Sequence, residues 1–215
     1  MLVVPDLDAF SALQLVGLVA FTLSGAAVAV RAGMDWLGIV VLGTITSIGG
    51  GTIRDLLIGG GVGWVAEPWP IWVALIVSLV VVAVSHWSPR HEPDSLRVVL
   101  VADAAGLAVF TVLGTTLALS AGIERDVAVM LGVISGVGGG VIRDVLAGQR
   151  PLVLVGQVYA LTAIAGSVLF VALDAADLDR DVARWSAVAV TFVLRVLAIR
   201  FDWTLPRPGD PRRAS

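Results

Sequence analysis

Read along its length, the chain alternates long apolar runs with short polar or charged interruptions. Seven runs bounded by charge or proline stand out: Phe10 to Val30, Trp36 to Gly59, Trp69 to Trp87, Val98 to Ser120, Val127 to Ala147, Leu152 to Leu173 and Val182 to Phe201. Each supplies the roughly 20 residues that an α-helix needs to cross an apolar layer about 30 Å thick. The pattern predicts an all-α membrane protein with seven transmembrane helices. The first run reads as a mature helix and not a signal peptide, because its leader, Met1 to Asp8, carries two Asp and no basic residue.

The runs repeat. Shifting the sequence by 89 residues superposes Gly17–Gly59 on Gly106–Gly148, with 20 of the 43 positions identical. The densest block reads GGGTIRDLLIG at Gly49–Gly59 and GGGVIRDVLAG at Gly138–Gly148. Upstream, Gly17, Phe21, Thr22, Gly25, Ala29 and Gly33 recur as Gly106, Phe110, Thr111, Gly114, Ala118 and Gly122. Each copy carries three spans, so the second enters the membrane from the opposite side, and the copies are related by a pseudo-twofold axis in the membrane plane. That is the inverted-repeat plan of transport proteins. The expected organisation is a first three-helix repeat at 9–88, a second, inverted one at 97–174, a seventh helix at 182–202 without a counterpart, and a polar tail at 203–215.

Composition and charge narrow the picture. With 58% apolar and only 14% charged residues, against about 25% charged in soluble domains, no room remains for a soluble domain. The net charge of −3 and the lack of a dense basic cluster exclude nucleic acid as a partner. The chain has no cysteine, hence no disulfide or thiolate site, and all its basic residues are Arg, which removes Schiff-base chemistry. Eight arginines, at 31, 90, 97, 150, 200, 207, 212 and 213, fall on one side of the seven-span layout, and Arg125, Arg180 and Arg184 on the other. The imbalance predicts a cytoplasmic C-terminus and an external N-terminus. All seven tryptophans fall at or just beyond span ends, where the indole ring prefers the headgroup level. Asp174, Asp177, Asp179 and Asp181 read as a solvated external loop; a calcium loop is the sharper alternative, but it lacks the turn Gly and closing Glu of an EF-hand. His86 and His91 read as loop residues, not metal ligands, and no cofactor is expected.

Candidate chemistry sits inside the spans. Gly49, Gly50, Gly51 and Gly138, Gly139, Gly140 lie near mid-bilayer. A run of Gly costs roughly 1 kcal/mol per residue in a helix interior. Both spans are therefore expected to kink or break there, with the breaks facing protein or water. Single glycines such as Gly17, Gly25, Gly106 and Gly114 read instead as close helix contacts. Just past each triple glycine come Arg54 with Asp55 and Arg143 with Asp144, and Asp103 lies within the fourth span. Intramembrane charges are expensive and find partners or a wet cavity. Neighbours on a helix do not face each other, so Arg54 need not pair with Asp55; each Asp is expected in the first turns of a restarted half-helix. Locking the helix to its neighbours and contacting a permeating ion are equally open roles for these pairs. Asp103 has two candidate partners by depth, Arg143 and Arg195, with Arg143 favoured because its span is consecutive. The inverted equivalent of that pair is Gln14 with Arg54.

Seven spans as three plus three inverted plus one, with GGGxxRDxLxG once per repeat, is similar to the prokaryotic trimeric intracellular cation (TRIC) channels, a sequence type also labelled glycine-transporter-like. The resemblance covers roughly Phe10 to Phe201. It implies a homotrimer in which each protomer has its own pore, lined by the first two helices of each repeat, kinked at the triple glycines, and passing potassium and other monovalent cations. It further implies that Arg54 and Arg143 line the pore or form its gate. The alternative is a secondary transporter of a small zwitterion such as glycine. The hydroxyls near the expected breaks, Thr44, Thr46, Ser47, Thr52 and Ser135, are sparse for a dedicated substrate pocket and suit a wet pore better. An intramembrane enzyme has no constellation of nucleophile, base or metal ligands to support it.

Overall fold

The computed structural model describes residues 9–87, 95–155 and 158–204. Within them the chain forms α1 (Ala9–Arg31), α2 (Trp36–Ile58), α3 (Gly63–Ala66), α4 (Trp69–Trp87), α5 (Ser95–Ser120), α6 (Arg125–Leu146), α7 (Leu152–Val155), α8 (Tyr159–Ala175) and α9 (Arg180–Arg200), with no strand among the described residues. Six of these helices are long and apolar enough to cross a bilayer, and α8 is a seventh, shorter apolar helix of 17 residues. The protein is a multi-pass membrane protein. Its first repeat is α1–α4, its second is α5–α8, and α9 is the unpaired helix.

The sixth span is redrawn relative to the sequence reading. A single helix over Leu152 to Leu173 was expected; the chain instead makes the short α7 and then α8. The first copy does the same with α3 before α4. A continuous apolar run carries no mark of such a division, because hydropathy is insensitive to where a helix restarts.

Helix ends follow local chemistry. Asp35 caps α2 by accepting the Gly38 amide at 2.7 Å, and Asp179 caps α9 by accepting the Asp181 and Val182 amides. Two further acids of the α8–α9 turn are also engaged: Asp174 pairs with Arg180 and Asp181 with Arg184. Among the described residues, four glycines have positive φ, Gly33, Gly122, Gly59 and Gly148, which are two repeat-related pairs. They end the first two helices of each copy in the left-handed conformation that residues with a Cβ resist.

Packing obeys the same twofold relation. In each copy the three long helices touch one another, and α1 lies against α5 while α2 lies against α6. At the twofold axis Phe21 and Phe110, equivalent residues, stack with centroids 5.4 Å apart. Each ring is seated on the other copy's glycine: a Cβ on Gly106 would collide with Phe21, and one on Gly17 would come within 3.0 Å of Phe110. Gly25 meets Thr46 and Gly114 meets Ser135, again equivalent contacts. The expected close-contact role of these glycines is what the structure shows. Outside this core α4 turns Ile76, Leu79, Val80 and Val84 outward, where they are exposed. α9 packs on α8 and α5. In the membrane frame, the α5–α6 turn and the α2–α4 connection share one face; the α1–α2 turn and the α6–α8 connection share the other.

The expected breaks at the triple glycines are absent: α2 and α6 are continuous α-helices through Gly49–Gly51 and Gly138–Gly140. The reason is tertiary. A Cβ on Gly50 would collide with the carbonyl oxygen of Ser135, and one on Gly139 with the carbonyl oxygen of Thr46. Gly138 would set its Cβ 3.1 Å from the Gly50 Cα. The bare backbones of α2 and α6 cross here, and the contact between them outweighs glycine's poor helix propensity. Gly50→Ala is expected to destabilise the protein by about 1 to 3 kcal/mol, since backbone atoms cannot step aside as a flexible side chain would. Gly60→Ala, where nothing lies within 4 Å, should leave the melting temperature in detergent unchanged.

Candidate functional site

Arg54 and Arg143 each sit one turn beyond the crossing. Position i+3 shares a helix face with position i, so the last glycine of each triplet opens space for the guanidinium that follows. A Cβ on Gly51 would lie 3.4 Å from Arg54 Nη2, and a Cβ on Gly140 would lie 3.8 Å from Arg143 Nη2.

Arg54 is held by three hydrogen bonds to two groups. Its Nε and Nη2 donate to Asp55 Oδ1 at 2.9 and 2.7 Å, and its Nη1 donates across the crossing to Ser135 Oγ of α6 at 3.2 Å. The neighbouring Asp is thus a partner after all. The helical spacing that keeps adjacent Cβ atoms apart is overcome by the length of the Arg side chain, which folds back along its own helix. Asp55 uses its other oxygen, Oδ2, to accept the Gly63 amide at 2.9 Å, where α3 begins. Trp64 in α3 donates its indole N–H to Thr52 at 2.8 Å.

The second copy repeats this and adds to it. Arg143 Nε donates to Asp144 Oδ1 at 2.8 Å, and Asp144 Oδ2 accepts the Leu152 amide at 2.9 Å, where α7 begins. Gly63 and Leu152 are equivalent by the 89-residue shift, and each lies eight residues after its Asp. The carboxylates therefore do not sit on restarted half-helices; they anchor the start of the following short helix. Arg143 Nη1 also donates to Asp103 Oδ1 at 2.7 Å and to Ser24 Oγ at 2.5 Å. Both members of the Arg143–Asp103 pair are fully buried, whereas the Arg54 side chain is 10% exposed. The favoured partner of Asp103 is the one found. Arg195, the rival, lays its guanidinium over the Tyr159 ring at 4.5 Å from the centroid. Tyr159 stands beside the same cluster, its Oη 3.0 Å and Asp103 Oδ1 3.2 Å from where a Gly140 Cβ would be.

The sequence reading missed Tyr159, Ser24 and the two amides at 63 and 152. Tyr159 is the chain's single tyrosine and lies within an apolar run, a signal available in the sequence. Ser24 has no such mark among many small residues. Pro70 occupies the place of Tyr159 in the first copy, Gln14 that of Asp103, and Arg195 has no equivalent. The two half-sites thus share an Arg, an Asp and a helix start, and only the second is wrapped by further charge and an aromatic ring. Among the described residues no group of three or more His, Asp or Glu could hold a metal ion. His91 lies outside the described residues.

Removing one partner of a buried ion pair typically costs about 3 to 5 kcal/mol. Asp103→Asn is expected to lower the melting temperature in detergent sharply, Gln14→Asn to change it little, and Arg143→Gln to recover part of the Asp103→Asn loss. A double-mutant cycle that gives additive effects for Asp103 with Arg143 would contradict the pairing seen here.

Comparison with known proteins agrees with this architecture. A family model described as glycine transporter matches the chain twice, at residues 11–86 and 100–175, again 89 residues apart. The UPF0126 inner membrane protein YadS of Escherichia coli K12 is 39% identical over 196 residues, covering 90% of this chain and 93% of its own. The UPF0126 membrane protein YvgT of Bacillus subtilis is 33% identical over 204 residues, covering 92% of this chain and 96% of its own. Among solved structures, the TRIC trimeric intracellular cation channel orthologue from Rhodobacter sphaeroides superposes with a TM-score of 0.82 at 37% identity, over 89% of this chain and 97% of that one. A prokaryotic TRIC channel crystallised in 0.5 M KCl superposes with a TM-score of 0.83 at 32% identity, over 91% and 98% of the two chains. With its doubled family match, these relatives and the shared inverted-repeat fold, the chain belongs to the prokaryotic TRIC channel family, whose sequences are also grouped as glycine transporter and UPF0126 membrane proteins.

Proposed function

We propose that the protein is a passive channel for monovalent cations, potassium among them, with a pore inside each protomer of a homotrimer. The observation that carries this reading is the likeness to solved TRIC channels over nearly the whole chain at 32–37% identity. The pore is assigned to the region between α1, α2, α5 and α6, where the triple glycines place bare backbone and where Arg54 with Asp55 and Arg143 with Asp144 lie at its two ends. The protein is not an enzyme.

The side chains near the crossing support a channel over a carrier. Thr46, Ser47 and Thr52 donate their hydroxyls to carbonyls of their own helix, and Ser135 accepts from Arg54. The hydroxyls of Thr46, Ser47 and Thr52 are spent as donors in this way, and only those of Ser135 and Thr44 are left to donate to a bound substrate. The second reading, a secondary transporter of a small zwitterion such as glycine, is favoured by the description of the matching family model.

A planar bilayer holding the purified protein under a potassium gradient separates the two. Discrete single-channel steps carried by potassium are the expected outcome; smooth flux that depends on added glycine would establish the carrier instead.

The orientation proposed for the cell membrane has the N-terminus outside and the C-terminus cytoplasmic, on the strength of the eight-to-three split of the arginines. Alkaline phosphatase fused after Trp203 should be inactive and a fluorescent protein there bright. The reverse pattern would overturn the orientation.

A further inference from the structure

The inverted repeat makes the two mouths of the proposed pore from equivalent pieces, so a difference between them can be read position by position. One mouth is built from the α5–α6 turn and the connection from α2 through α3 to α4. The other is built from the α1–α2 turn and the connection from α6 toward α8. Contacts confirm that the pieces meet. Ile58 at the end of α2 shares an apolar cluster with Ile123 of the α5–α6 turn and Ala128 of α6, and Ala147 just past α6 shares one with Met34 of the α1–α2 turn and Ile39 of α2.

The charges on these matched pieces differ in sign. At the first mouth stand Glu67, Glu124, Arg125 and Asp126, all exposed, for a sum of −2. At the second stand Arg31, Asp35 and Arg150, also exposed, for a sum of +1. The shift by 89 pairs Arg31 with Ser120, Asp35 with Glu124, Leu37 with Asp126, and Gly61 with Arg150. Only the acid at 35 and 124 is common to both. Between the mouths, the three intramembrane arginines, 54, 143 and 195, are balanced by the three carboxylates at 55, 103 and 144. The interior contributes no net charge to offset the difference.

We infer that the two mouths are electrostatically unequal, the acid-rich one gathering cations and the Arg-rich one repelling them, so that the channel rectifies, passing cations more readily from the acid-rich face to the Arg-rich face. The inference rests on the channel reading of the previous subsection. A charged mouth raises or lowers the local concentration of the permeating ion, and an entry-limited current follows that concentration. Two unit charges about 10 Å from the entrance, acting through water, raise a monovalent cation's local concentration about fourfold. The effect is confined to low salt, because the Debye length falls from about 30 Å at 0.01 M to about 3 Å at 1 M.

The test is single-channel current in symmetric KCl at about 0.01 M and again at about 1 M, compared at equal voltages of opposite sign. The wild type should show a current ratio of about four or more in dilute salt, falling to near one in concentrated salt. The double variant E124Q/D126N should lose most of the ratio in dilute salt while keeping the wild-type conductance in concentrated salt. Asp126 accepts the Val127 amide, which an Asn oxygen can also accept, and Glu124 makes no side-chain cap bond, so the fold does not need either charge. R31Q/R150Q at the other mouth provides an independent arm; it takes that mouth from +1 to −1 and should reduce the ratio about fourfold. Equal currents of either sign in dilute salt, or a ratio unmoved by both variants, would overturn the inference while leaving the channel intact. An absence of any potassium current would instead overturn the channel reading and this inference with it.

Discussion

The approach of bare backbone to bare backbone where α2 crosses α6 governs everything around it. Gly50 faces the Ser135 carbonyl and Gly139 faces the Thr46 carbonyl, equivalent contacts either side of the pseudo-twofold axis. In a bilayer, helices gain little from hiding apolar surface from lipid, so association depends on close van der Waals packing and polar contacts between helices. Glycine at the crossing supplies the first, and the Arg54–Ser135 hydrogen bond one turn away supplies the second. A side chain at Gly50 or Gly139 would push the helices apart and carry Arg54 out of reach of Ser135.

From that common crossing the two half-sites diverge. Both carry an Arg bound to its neighbouring Asp, and both Asp residues reach forward to the first amide of a short helix. The second copy then adds Asp103 and Ser24 around Arg143, with Tyr159 and Arg195 alongside. Arg54 has one carboxylate and one hydroxyl around it; Arg143, more deeply buried, has a second carboxylate, which balances a charge that water does not reach. The helix without a counterpart, α9, is the element that brings Arg195 into this surround. Its contribution to the protein is therefore asymmetry itself, since nothing in the first copy can play its part.

Much of this was legible in the chain. The apolar runs locate six of the seven spans to within a few residues, because lipid requires an uninterrupted length of helix and charge marks the ends. The 89-residue identity revealed the inverted plan, and consecutive spans at matching depth pointed to the Asp103–Arg143 pair. The triple glycines misled as far as a break was expected, since both helices run on through them. Propensity says that Gly weakens a helix, but it is blind to a partner helix that requires Gly at the contact. Asp55 and Asp144 misled for a related reason, since their second oxygens go to amides eight residues on, at a helix start that hydropathy does not register. Tyr159 and Ser24 enter the site through tertiary packing alone, from helices whose relative rotation no single-chain pattern determines.

The chain of contacts from Arg54 through Asp55 to Gly63 has a mechanical meaning. One carboxylate holds a guanidinium with one oxygen and the first turn of α3 with the other, while Trp64 of that same turn is tied back to Thr52 on α2. The side chain and the segment at the mouth are thereby a single lever with two fastenings. Rotation of the guanidinium away from Ser135 either drags α3 with it or breaks a charge-assisted bond, so the interior and the rim of the protein on that side cannot move independently.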